Sequence, residues 1–144
     1  MNAPIALKLT DLTPGISAEI GFAISPSDME LFAALSGDSS RIHNDFGFAS
    51  YNGFNGPVVY GALIVAKLSQ ILGMQLPGDL GLATDWVVHF HQALYVGERA
   101  QLFATVKSRS AATSTVKILF EVKAGNRLIA KGSARSMILM EPDG

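Results

Sequence analysis

A carboxylate and an imidazole stand five positions apart in the stretch Leu35-Ser36-Gly37-Asp38-Ser39-Ser40-Arg41-Ile42-His43. Adding water to a double bond, or removing it, needs a base that takes a proton and an acid that returns one. A carboxylate and an imidazole holding one water between them can share both tasks. Taken singly, Asp38 reads as a loop-capping carboxylate and His43 as a satisfied loop histidine. Together, between a capped helix and an apolar helix that opens near Gly61, they read as a catalytic pair with an undivided role. Gly61 itself has two readings. Amides in the first turn of a helix lack intrahelical partners and the dipole there favours negative charge, so its N–H suits an oxyanion; or glycine simply permits close packing.

Other residues carry weaker signals. Ser69, in the apolar segment, either bonds the carbonyl one turn back or faces a substrate. Asp45 either orients His43 or caps a helix. Phe46, Phe48, Tyr51 and Phe54 suit an acyl-lined tunnel, although ordinary packing explains them slightly better. His89 and His91 alternate on a strand and are expected to share one face, but no third ligand accompanies them and no metal is expected.

These groups need elements to hold them. Ser25-Pro26-Ser27-Asp28 has the chemistry of a helix start, with Ser25 as N-cap and Asp28 completing a capping box, and the helix should end at Gly37. A long loop follows to Gly56, with one helical turn at Asp45 to Ser50. Pro57 opens Val58 to Leu72, apolar on nearly every face and closing at Gly73, which predicts a helix that the protein must wrap. Strands are expected at Ser17 to Ala23, Leu82 to Phe90, Arg99 to Ser108, Thr113 to Ala124 and Leu128 to Met140. Gly125-Asn126 marks a hairpin between the last two. This is an α+β pattern, an antiparallel sheet curled around one helix, preceded by an arm over residues 1–15.

Composition narrows the function classes. The chain has 144 residues, 49% hydrophobic and only 16% charged, enough for one domain spanning 1–144 with apolar surface to spare. That surplus points to a homo-oligomer. A net charge of −1 without a basic stripe argues against nucleic acid. With no cysteine, thiolate chemistry and disulfides are excluded. No signal peptide is evident in the first twelve residues, and the longest apolar run falls short of the ~20 residues that span a bilayer. A cytoplasmic protein without membrane contact is expected.

The run from Ser36 to His43, followed by Gly56-Pro57-Val58-Val59-Tyr60-Gly61, resembles the MaoC-like hydratases. In them Ser-Gly-Asp, one residue, Asn-Pro, an aliphatic residue and His precede Pro-Ile-Val-His-Gly at the start of a hot-dog helix. Phe90, Gly97 and Glu98 extend the likeness, which covers about Ser25 to Lys107. The resemblance implies a hot-dog fold and cofactor-free, (R)-specific hydration of a trans-2-enoyl thioester on coenzyme A or an acyl carrier protein. It implies catalytic Asp38 and His43, an oxyanion contact at Gly61, and a homodimer with the acyl site near the subunit boundary. Ser69, Tyr60, Arg41 and Phe54 are expected on the substrate side. Two positions depart from the pattern: Ser40-Arg41 replaces Asn-Pro, and Tyr60 replaces His. An Arg41 locked onto Asp38 would depress its basicity and favour a non-catalytic acyl-thioester binding module. A hot-dog thioesterase is the other alternative, disfavoured because Val58 to Leu72 contains no Asp or Glu.

Overall fold

The computed structural model describes residues 2–143. Five strands form one antiparallel sheet: β1 (Ser17–Phe22), β2 (Gly81–Phe90), β3 (Ala100–Ser110), β4 (Thr115–Ala124) and β5 (Arg127–Ile138), in the order β1-β3-β4-β5-β2. The helices are α1 (Pro26–Ser36), α2 (Phe46–Tyr51) and α3 (Gly61–Met74). Alternation along β3 and β4 puts Leu102, Ala104 and Val106, and Val116, Ile118 and Val122, into the core. That core also contains Ile64, Leu68 and Ile71 of α3. This is the hot-dog arrangement expected from the sequence.

Local chemistry explains the boundaries. Ser25 Oγ accepts from the Asp28 N–H at 3.1 Å and the Asp28 carboxylate accepts from the Ser25 N–H at 2.9 Å, so the capping box starts α1. Gly37, at φ 76°, stops it in the left-handed conformation. Gly125 and Asn126 form a two-residue loop between the paired Ala124 and Arg127, with positive φ at Gly125 as a type II′ turn requires.

Two expectations change. The apolar segment does not begin as a helix at Pro57: Val58 is extended and bridges to Tyr95, and α3 runs from Gly61 to Met74. Nor is α3 enclosed all round, since Ala62, Ala66, Ser69, Gln70 and Gly73 face outward. One sheet covers only one side of a cylinder. The N-terminal arm, in contrast, is well held. Leu12 is fully buried, the Ile5 N–H donates to the Met74 carbonyl, and Arg109 donates to the carbonyls of Leu9 and Thr10.

Candidate active site

The loop between α1 and α2 folds tightly around Asp38. Its Oδ1 accepts from the Ser40 hydroxyl at 2.7 Å and the Ser40 N–H at 2.9 Å, while the Asp38 N–H donates to Ser36 Oγ. Hydrogen bonds to an ionised carboxylate favour the ionised form. The Ser40 hydroxyl, then the Ser40 N–H, and to a smaller extent the charge of His43, hold Asp38 below its ordinary pKa against the opposing effect of desolvation. Ser40, which stands where the pattern has Asn, thus restrains the carboxylate through both its hydroxyl and its N–H.

His43 is fixed from below by backbone. Its Nδ1 lies 2.6 Å from the Val58 carbonyl oxygen, and a carbonyl only accepts, so Nδ1 carries the proton and Nε2 is the nitrogen left for chemistry. The same residue returns the contact: the Val58 N–H donates to the Ile42 carbonyl at 2.9 Å. The extended segment before α3 therefore clamps the loop that carries Asp38 and His43 through two successive residues. On its other side the Val59 N–H donates to the Leu94 carbonyl, which fixes the clamp to the loop after β2.

Tyr60 joins both halves of the pair. It is buried, 3% exposed, with its hydroxyl donating to the Asp38 carbonyl at 2.6 Å and its ring stacked on His43 at 4.0 Å between centroids and 27° between planes. Phe32 of α1 packs against the same ring at 4.7 Å. Desolvation, and then the nearby Asp38 charge, push the phenol above its ordinary pKa. The structure accordingly gives Tyr60 a supporting position where substrate contact was expected, because both its ring and its hydroxyl are already engaged.

A cavity of about 320 Å³ opens beside the imidazole, lined by His43, Phe54, Val58, Gly61, Ile64 and Phe90, with His91, Gln92 and Leu94 completing the wall. Both readings of Gly61 have support: it lines the cavity from the first turn of α3, and a Cβ there would lie 2.9 Å from the Phe90 ring. The cavity wall after β2 is braced by Arg127, whose guanidinium grips Glu98 at 2.6 and 2.9 Å and donates to the Ala93 carbonyl at 2.7 Å. This bidentate contact, more than desolvation, sets the Glu98 carboxyl below its usual range.

The remaining expected residues divide. Phe54 lines the cavity, whereas Phe46 and Tyr51 are exposed, Tyr51 to 90%. Arg41 makes no ion pair with Asp38; its guanidinium lies 4.0 Å over the Phe48 ring, a cation–π contact. Ser69 is on the outward side of α3, away from the residues that line the cavity. Asp45 caps α2 through the Phe48 N–H at 2.9 Å. His89 and His91 do not share a face: His89 lies on the outer side of the sheet with Val87 and Lys131, and His91 lines the cavity with His43. Val58 was not foreseen as a positioning residue. Its part is played by main-chain atoms, which leave no mark on residue type.

Comparisons with known proteins agree with the fold. Residues 11–126 match the profile of the MaoC like domain. The (R)-specific enoyl-CoA hydratase of Aeromonas caviae is 29% identical over 132 residues, covering 89% of this chain and 96% of that protein. The 3-hydroxybutyryl-CoA dehydratase of Methylorubrum extorquens is 23% identical over 128 residues, covering 89% and 82%. Among solved structures, the (R)-hydratase from A. caviae involved in PHA biosynthesis superposes with a TM-score of 0.84 at 26% identity, covering 88% of this chain and 97% of that one.

Proposed function

Because this chain belongs to the MaoC-like dehydratase family, we propose that it adds water to, or removes it from, a trans-2-enoyl or (R)-3-hydroxyacyl thioester carried by coenzyme A or an acyl carrier protein. The observation that carries this reading is the tethered imidazole: with Nδ1–H committed to Val58, Nε2 of His43 is the nitrogen left to exchange a proton beside the cavity. In the hydration direction, Nε2 takes a proton from water as the water oxygen bonds to C3. The C2–C3 π electrons move toward the thioester carbonyl, and the imidazolium then returns the proton to C2. Asp38, kept ionised by Ser40, orients the water and steadies the imidazolium. The Gly61 N–H meets the negative charge on the thioester oxygen.

The position of Arg41 favours this chemistry over a binding module, since the Asp38 carboxylate is not neutralised by it. No carboxylate lies on α3 to serve a thioesterase. A homodimer is part of the proposal. Strand β2 is hydrogen-bonded only to β5, and its free side exposes Leu82, Trp86, Val87 and Phe90, an edge that a second copy would cover. Phe90 belongs both to this edge and to the cavity, which supports an acyl site near the boundary.

The test follows the loss of crotonyl-CoA absorbance near neutral pH for wild type, Asp38→Asn and His43→Gln, each checked for folding and for assembly by sedimentation. Turnover by wild type with both variants slower by roughly 10²-fold or more supports the reading. Binding without turnover of crotonyl-CoA and of longer and carrier-bound enoyl thioesters would overturn it in favour of a binding module, and a monomer would overturn the dimer.

A further inference from the structure

The alternation of β2 fails where the strand meets the cavity. Phe90 still pairs with Ala130, but the N–H groups of His91 and Gln92 both donate to the Ile129 carbonyl, at 2.8 and 3.4 Å. The regular ladder stops at Phe90, and beyond it the two residues share one partner without continuing the strand. Freed from the alternation of a pleated strand, Phe90, His91 and Gln92 all line the cavity of His43. The cavity floor, by contrast, is Val58, Ile64 and Leu94.

Such an arrangement is unsuited to a plain alkyl chain. Imidazole and carboxamide both donate hydrogen bonds, and the His91 and Gln92 side chains are exposed at the mouth of the cavity, where water solvates them until a ligand takes its place. An alkyl tail laid against them would displace water without replacing its hydrogen bonds. At about 320 Å³ the cavity is also at the small end for ligand sites. Resting on the hydratase reading above, we propose that the preferred substrate is a short acyl thioester whose tail carries a hydrogen-bond-accepting oxygen, read by the His91 and Gln92 side chains. The oxygen belongs to a hydroxyl or to a carboxylate.

Saturated thioesters test the pocket without requiring turnover. Calorimetry with butyryl-CoA, 4-hydroxybutyryl-CoA and succinyl-CoA should give wild type a roughly five- to tenfold preference for one of the two oxygenated ligands, the size of one good hydrogen bond, and its identity distinguishes hydroxyl from carboxylate. His91→Leu and Gln92→Leu should erase that preference by weakening the oxygenated ligand, while butyryl-CoA, whose alkyl tail then meets an apolar wall, binds at least as well as to wild type. Equal binding of all three ligands by wild type overturns the proposal. So does a uniform loss across all three in the variants, which would assign both side chains to the carrier arm. Turnover of crotonyl-CoA, 4-hydroxycrotonyl-CoA, a carboxylate-bearing enoyl-CoA, and longer and carrier-bound enoyl thioesters is measured in parallel: if none is hydrated the hydratase reading fails, while the binding comparison still decides the pocket.

Discussion

The phenol of Tyr60 donates to the main-chain carbonyl of Asp38 at 2.6 Å, joining residues 22 positions apart. One side chain thereby fixes the position of the carboxylate loop while its ring supports the imidazole of His43. Aligning two proton-handling groups ahead of the reaction removes that ordering cost from the barrier. Tyr60→Phe keeps the ring and deletes the hydroxyl. The expected outcome is a loss of roughly 1 kcal/mol in transition-state stabilisation, about a fivefold fall in kcat with KM nearly constant, read from steady-state kinetics.

Ser40→Ala removes the hydroxyl that contributes most to depressing the Asp38 pKa. The expected change is upward, toward the ordinary aspartate value, while the Ser40 N–H contact persists in part. Titration of the Asp38 carboxyl by carbon-detected NMR checks the direction, and an unchanged midpoint would remove Ser40 from the account of its acidity.

At Gly61 a methyl group would meet the Phe90 ring at 2.9 Å. Phe90 is 53% exposed at the sheet edge, so its ring can swing aside in the isolated subunit at a cost below about 1 kcal/mol. Gly61→Ala should therefore narrow the cavity more than it unsettles the fold: KM rises several-fold and Tm moves by a few degrees at most. A collapse of Tm with no kinetic effect in the surviving protein would make Gly61 a packing residue only.

The pair Glu98 and Arg127 lends itself to a pH test, since both side chains are about a third exposed or less. The folded Glu98 pKa is depressed, so its stabilisation is fully present above the unfolded value of about 4.5 and is lost as pH falls through the lower folded value. After solvent screening the contribution is about 1 kcal/mol. Glu98→Gln should lower the Tm relative to wild type at pH 7, and the difference should shrink as pH falls below about 4.5 and through the depressed folded value. A Tm difference independent of pH would assign the effect to packing.

What the sequence made legible was local. The Ser25–Asp28 box, the stop at Gly37, and the Gly125-Asn126 hairpin each depend on neighbours within a few positions, and each stands where its residue types require. The pairing of Asp38 with His43 was legible as a spacing. The means by which they are held was not, because the Val58 carbonyl and the Tyr60 hydroxyl reach them from 15 and 22 positions away. The two histidines near the end of β2 show the same limit. Period-two reasoning assigned them one face, but β2 ends at Phe90, between the two, and His91 lines the cavity instead.

The Val58 clamp has a consequence for how such a site diversifies. Its bonds to Ile42 and His43 use only the peptide groups of residue 58, while the isopropyl group lines the cavity. Any residue other than proline can supply those peptide groups. The cavity wall is thus free to change shape by single substitutions at position 58 without loosening the imidazole, so that, under the proposed chemistry, selectivity can drift while the proton-transfer step is inherited intact.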